Sequence, residues 1–177
     1  DHKKSNVDVY YDGKKIPFPD KSFDTVVCFE VLEHVYDSKT LLTEINRVLK
    51  DGGKVCISCP FVWDEHEQPY DYYRMTSFAL PKLGDDCGFY MSSHWKTTSH
   101  VATLAQMLSA YIYQTLLPKS QIVRLLFTPI LIAPVNLAGY LLGKILPDSK
   151  NFYHNNVVIY AKTTACGVTD HRSEKGH

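Results

Sequence analysis

The chain lacks an excess of charge of either sign. Its 177 residues carry 19 basic and 19 acidic side chains, which balance to a net charge of zero. A general nucleic-acid-binding surface needs a cationic excess, so that class of partner is not expected. A paired cysteine framework is also lacking. The five cysteines (Cys28, Cys56, Cys59, Cys87 and Cys166) are odd in number, which argues against a full set of disulfides. Cys56 and Cys59 have the spacing of half a zinc site, but no second pair follows. Residues an odd number apart on a strand also face opposite sides. Cysteines in or beside apolar strand patterns act as small hydrophobes, and a reduced, cytoplasmic setting is expected. Asp1 to Asn6 is polar, reads as a connector, and has no signal-peptide core. Internal repeats and low-complexity runs are absent. One domain is the natural expectation for this length, and it is long enough to bury a core.

What is present is centred on Phe18 to Gly53. Thr25 to Phe29 (TVVCF) is continuously apolar, the pattern of a strand buried on both faces in a parallel sheet. Glu30 to His34 (EVLEH) turns polar at the strand's carboxyl end, the edge where open α/β sheets bind ligands. Asp37 or Ser38 can cap a helix. Leu41, Leu42, Ile45, Val48 and Leu49 then recur at spacings of three and four, which gives that helix one apolar face. Gly52-Gly53 is expected to end it. Lys54 to Cys59 (KVCISC) reads as the next strand, closed by Pro60. Upstream, Val7 to Tyr11 (VDVYY) reads as a short strand, and Asp12-Gly13 as a turn.

DGKKIPFPDKSFDTVVCFEVLEHV followed by LLTEINRVLKDGGKVCISCP resembles the middle of a class I S-adenosylmethionine-dependent methyltransferase. The similarity runs from about Val7 to Phe89, and more loosely through the last strand near Val157. It implies an α/β, Rossmann-like sheet, held here in part, from the third strand onward. The family's Gly-rich turn and the acidic residue after its second strand have no counterpart in this sequence. The chain therefore reads as the carboxyl-terminal portion of such an enzyme. The resemblance implies methyl transfer from S-adenosylmethionine, with an oxygen of the acceptor as the expected target. It puts Asp12 and Gly13 against the adenine, although a plain Asp-Gly turn is the other reading. Phe29 and Glu30 are the other two residues it puts at the cofactor. His34 and His66 are candidate bases, because histidine titrates near neutral pH. Glu33 is a third candidate, or it orients His34. The second hypothesis is a non-catalytic binding or membrane-associated scaffold derived from a methyltransferase.

After Pro60, FVWDEHEQPYDYYRMTSFAL interleaves aromatic and charged residues. Its HExPxDYYRxT pattern is similar to a subgroup of methyltransferases associated with surface-glycan pathways. Trp63, Tyr70 and Tyr73 can stack on a ring or sugar, and Arg74 can hold a carboxylate or phosphate. Equally, Arg74 can pair with Asp71 and the tyrosines can pack on the next helix. Thr76 or Ser77 is expected to cap a helix through Leu83, and a strand is expected near Tyr90 to Ser92. Small-molecule, glycan or lipid-linked acceptors all fit this loop.

Glu30, Glu33 and His34 stand at i, i+3 and i+4 and share one face if Glu30 begins a helical turn. With His66 they could ligate a divalent metal. The ExxEH arrangement resembles the metal site of small-RNA 2′-O-methyltransferases and ubiquinone-pathway O-methyltransferases. Many methyltransferases similar to this chain carry EVLEHV without a metal.

From His100 to Leu146 the chain is strongly apolar, and Ile122 to Leu146 has only Arg124 and Lys144 as charges. Its length would cross a bilayer, but Pro129, Pro134 and Asn136 interrupt it. A helical lid over the active site or a hairpin on the membrane surface fits better. Asn156 to Lys162 (NVVIYAK) resembles the family's final, antiparallel strand. The expected organisation is thus a partial methyltransferase core over 1–99, an apolar helical insertion over 100–150, the last strand within 151–164 and a flexible tail over 165–177. Localisation is expected to be cytoplasmic, with peripheral contact to a membrane.

Overall fold

The computed structural model describes residues 7–163. The connector expected at 1–6 and the tail expected at 165–177 lie outside the described residues. The apolar run after Asp24 forms β1 (Phe23–Phe29). Asp37 caps α1 (Ser38–Val48), its side chain accepting a hydrogen bond from the Thr40 amide at 3.1 Å. This satisfies one of the donors that every helix start leaves open. Leu41, Leu42, Ile45 and Val48 form the buried face of α1, as their spacing predicts.

The helix ends at Val48, earlier than Gly52-Gly53 suggests. Leu49 already has an extended backbone and opens β2 (Leu49–Pro60). The two glycines turn the chain within that segment. Gly52 has φ +75°, and a Cβ on Gly53 would lie 2.8 Å from the Lys50 carbonyl oxygen, so only glycine fits.

The α2 helix (Ala79–Asp86) runs past Leu83, and Thr76 Oγ1 accepts from the Ala79 amide at its start. The β3 strand (Phe89–Ser99) is longer than expected. Two helices follow, α3 (His100–Tyr111), extended by a π turn over Ile112–Leu116, and α4 (Gln121–Ile145). The last strand is β4 (Tyr153–Lys162).

The strands form one sheet in the order β1-β2-β4-β3. β1 and β2 are parallel, with Cys28 opposite Ile57. β4 inserts antiparallel between β2 and β3. The α3–α4 excursion therefore lies between the two last strands in sequence, as the resemblance implies. One face of the sheet is packed. Cys28, Val55, Ile57, Cys59, Val158 and Tyr160 meet Leu42, Ile45 and Leu80 there. Burial pushes the thiols of Cys28 and Cys59 up to about 11 and about 12, so both stay protonated. The expectation that β1 is buried on both faces fails: Val27 is 61% exposed and Phe29 52% exposed on the opposite face.

Val7 to Tyr11 forms no strand, and Val7, Val9 and Tyr10 are exposed. A strand needs a partner ladder, and among the described strands none pairs with it. The segment that follows is tied to α1 instead. Arg47 donates to the carbonyls of Ile16 and Phe18 and to the carboxylates of Asp20 and Glu44. Phe18 and Phe23 meet edge to face at 4.9 Å.

Pro129 and Pro134 lie inside α4 and do not break it. A proline removes one backbone donor, but neighbouring contacts hold the axis. Ser109 Oγ donates to Asn136 Oδ1 at 2.9 Å, and a side chain at Gly139 would collide with Ala105. Small residues at the crossing let the α3 and α4 backbones approach closely.

Candidate functional site

The carboxyl ends of β1 and β2 and the amino end of β4 meet at one edge of the sheet. There the chain leaves β1 through Glu30, whose φ of +50° is in the left-handed region. A non-glycine residue held there carries strain of about 1 kcal/mol or more, and such residues gather at functional sites. Two hydrogen bonds hold the Glu30 carboxylate: its Oε1 accepts from Ser58 Oγ at 2.5 Å and from Asn155 Nδ2 at 2.8 Å. The helical turn begins at Leu32, not at Glu30, and spans Leu32–His34. Glu30 thus does not share a face with Glu33 and His34, and it leaves the expected metal set.

Glu33 is 1% exposed. Both of its carboxylate oxygens are buried without a hydrogen-bond partner. Burial pushes its pKa up from the ordinary carboxylate range, and the Glu30 charge adds to this, while the two nearby histidines oppose it. His34 Nδ1 faces the Tyr70 carbonyl oxygen at 2.8 Å. His34 Nε2 lies 3.1 Å from His66 Nε2 and 3.9 Å from Glu33 Oε1. His66 Nδ1 faces the Asp64 carbonyl oxygen at 3.2 Å, and the Asp71 carboxylate lies 3.4 Å away. The structure therefore brings His66 to the adjacent pair Glu33-His34, so the three expected catalytic residues meet.

The loop that carries His66 is braced by Arg74. Its guanidinium donates to the carbonyls of Trp63, Asp64 and Tyr73 and to both carboxylate oxygens of Asp71, each at 2.7 Å. All five N–H donors are occupied, so Arg74 braces its own loop and has no donor left for an acceptor. This side of the sequence alternative is the one the structure adopts. Arg74 holds the Asp71 carboxyl well below the usual range.

Trp63, Tyr73 and Arg74 border a shallow depression of about 180 Å³. Trp63 packs edge to face on His154 at 4.9 Å. Tyr70 is 63% exposed, and Tyr73 Oη donates to the Tyr36 carbonyl. Of the expected cofactor residues, Phe29 sits at the end of β1 on the open face. Asp12 is exposed, and its Oδ1 accepts from the Lys14 amide at 2.9 Å. Gly13 has φ +84°. The plain Asp-Gly turn is thus present.

The sequence reading missed Ser58, His154 and Asn155. Asn155 reaches Glu30 across 125 positions. The polar pair Asn155-Asn156 opening an apolar strand was the available signal. Asn156 is fully buried, and bonds Met75 O and His94. The hairpin also reaches this edge: Gln114 donates to Asp64 Oδ2 at 2.6 Å, and Gln106 Nε2 lies 3.3 Å from His154 Nε2.

Residues 2–57 match the family described as a methyltransferase domain. A ubiquinone/menaquinone biosynthesis C-methyltransferase, UbiE, from Burkholderia cenocepacia is 40% identical over 75 residues. That alignment covers 42% of this chain and 30% of the relative. A candidate sarcosine dimethylglycine methyltransferase from Galdieria sulphuraria superposes with TM-score 0.55 at 18% identity, covering 88% of this chain and 58% of the other. The fold is that of a class I methyltransferase. The methyltransferase sheet is present here in the part described above, and the chain spans less than half the length of the curated relatives it matches. The [4+2]-cyclase SpnF shares the fold, with TM-score 0.51 at 17% identity over 87% of this chain and 56% of its own. The methyltransferase fold thus does not fix the reaction by itself.

Proposed function

We propose that this chain supplies the acceptor side of an S-adenosylmethionine-dependent methyltransferase acting on an apolar, quinone-type ring at a membrane surface. One observation carries this reading: the apolar α3–α4 hairpin is bonded to the edge of the sheet that holds Glu33, His34 and His66. The similarity to UbiE supports carbon, in place of the expected oxygen, as the methylated atom. In such a transfer a ring carbon attacks the sulfonium methyl in line, S-adenosylhomocysteine leaves, and the ring proton passes to a base. Placement supplies most of the rate, and in the metal-free protein the histidine cluster is the base within reach.

Membrane contact is supported by exposure and charge. Leu125 is 77% exposed, Ile130 63% and Ile145 78%. Among the described residues, α4 is the one helix long and apolar enough to cross a bilayer. No acidic residue occurs between Asp86 and Asp148, while Lys119, Arg124 and Lys144 are cationic. Arg124 lies over the Tyr113 ring at 4.6 Å and Lys144 over Tyr140 at 4.3 Å. These two pairs stand near the two ends of α4, where both can meet lipid headgroups if the helix lies in the membrane surface. Cations and tyrosines are the side chains that favour the two membrane interfaces. The setting is then cytoplasmic and peripheral to the membrane.

The test is transfer of labelled methyl from S-adenosylmethionine to a demethylated quinol in anionic liposomes, by the protein that contains this chain. A new C-methyl signal in the product, with flotation of the protein, is the expected result. Methylation of a hydrophilic acceptor at full rate without flotation would overturn it.

A further inference from the structure

We propose that Glu33, His34 and His66 form a binding site for a divalent transition-metal ion. His34 Nδ1 faces the Tyr70 carbonyl at 2.8 Å, and His66 Nδ1 faces the Asp64 carbonyl at 3.2 Å. A carbonyl oxygen only accepts, so each Nδ1 carries the hydrogen. In a neutral imidazole the other nitrogen then presents a lone pair. Both Nε2 atoms point into the same space, 3.1 Å apart. Two lone pairs at that distance repel unless a positive centre stands between or beside them.

The third group makes the same demand independently. Glu33 is 1% exposed, and neither of its oxygens has a hydrogen-bond partner. An uncompensated buried carboxylate is expensive, and proteins normally pair such a group or place it on a metal. Its Oε1 lies 3.9 Å from His34 Nε2, and ligand atoms of all three residues lie within 4.8 Å of one another. Metal–ligand bonds of about 2.0–2.2 Å need donor atoms about 3–3.5 Å apart, which small side-chain rotations supply here. The outer contacts are also those of a metal site. Both ring N–H groups are held by carbonyls, and Asp71, braced by Arg74, stands 3.4 Å from His66 Nδ1. Such partners fix the tautomer and orientation of a ligating histidine. Glu67, 73% exposed and 3.9 Å from His34 Nε2, marks the solvent side.

Two imidazoles and one carboxylate favour zinc, iron, cobalt or manganese over magnesium or calcium, which prefer oxygen. Three protein ligands leave a coordination position open to water or to an oxygen of an acceptor. With a metal in place the imidazoles act as ligands and not as bases. The inference rests on side-chain geometry, and its test reads binding alone, independently of methyl transfer.

The test is calorimetry of Zn²⁺ and Co²⁺ with the chelator-treated full chain, together with the visible spectrum of the Co²⁺ form. We expect one tight equivalent, a cobalt spectrum of low coordination number, and no displacement by Mg²⁺. Glu33→Gln, which keeps shape, and His66→Ala should each weaken that equivalent by at least about tenfold and alter the cobalt spectrum. Metal should raise the melting temperature of the parent chain, and this rise should be smaller in Glu33→Gln. Unchanged affinity and spectrum in both variants would place the ion elsewhere on the chain and overturn the proposal. A proton shared between His34 and His66 in ¹⁵N spectra that persists in excess Zn²⁺ would overturn it equally.

Discussion

Leu42 and Leu125 are the same side chain in the same kind of secondary structure, yet Leu42 is fully buried and Leu125 is 77% exposed. The difference lies in their helices. In α1 the apolar residues fall on one face and the polar ones opposite, so the sheet can cover everything apolar. In α4 apolar residues occur all round, and α3 covers only the stripe through Asn136 and Gly139. Protein packing satisfies the first pattern. The second asks for a further apolar environment, which is why the hairpin and not the core is read against a membrane.

The strongest way to break this contrast is Leu42→Ala, which should lower stability by about 2–5 kcal/mol through lost burial and a cavity, measured by urea unfolding. Gly139→Leu should separate the hairpin at a cost of about 1–3 kcal/mol. Its signature is faster hydrogen exchange confined to α3 and α4, and uniform exchange across the chain would contradict it. Asp71→Asn removes the partner of Arg74 and should cost about 1–3 kcal/mol. The folded pKa of Asp71 is depressed, so its contribution is present above the ordinary carboxylate range near pH 4 and fades as pH falls below it. The parent and the variant should therefore converge in acid.

Glu33 has the opposite sign. Its folded pKa is raised by burial, so its relative stability is present below the unfolded value and is lost as pH rises through the folded one. In metal-free protein, Glu33→Gln should gain about 1 kcal/mol at pH 7 and nothing near pH 3. Melting curves at the two pH values check this. The smallest effect is expected at the exposed end of the comparison. Leu125→Ala should change stability in water by less than about 0.5 kcal/mol, while Leu125→Glu with Ile130→Glu should reduce liposome flotation. Equal flotation of that double variant would sever the hairpin from the membrane.

Much of the fold was legible because its signals are local. The spacing of Leu41 to Val48, the run KVCISC and the run NVVIYAK each appear as the elements expected. Val7 to Tyr11 was misread because a strand is not a local object; the β-branched alternation exists, but no described strand pairs with it. The prolines of α4 misled for a related reason. Their cost is local, while the contacts that tolerate them come from α3. Gly52-Gly53 has the pattern of a helix stop, whereas the chain is already extended at Leu49.

The site divides in the same way. Sequence alone determined that Glu33 and His34 stand together after an apolar strand, since adjacent residues need no fold to be neighbours. It also determined the apolar character of α4 and the absence of acid around it. Only the tertiary structure decided that Glu30 turns away to Ser58 and Asn155, that Arg74 is fully occupied by its own loop, and that His66 meets His34 at 3.1 Å. Each of those outcomes depends on which atoms a long-range approach leaves within hydrogen-bond reach, and no residue type or spacing encodes that distance.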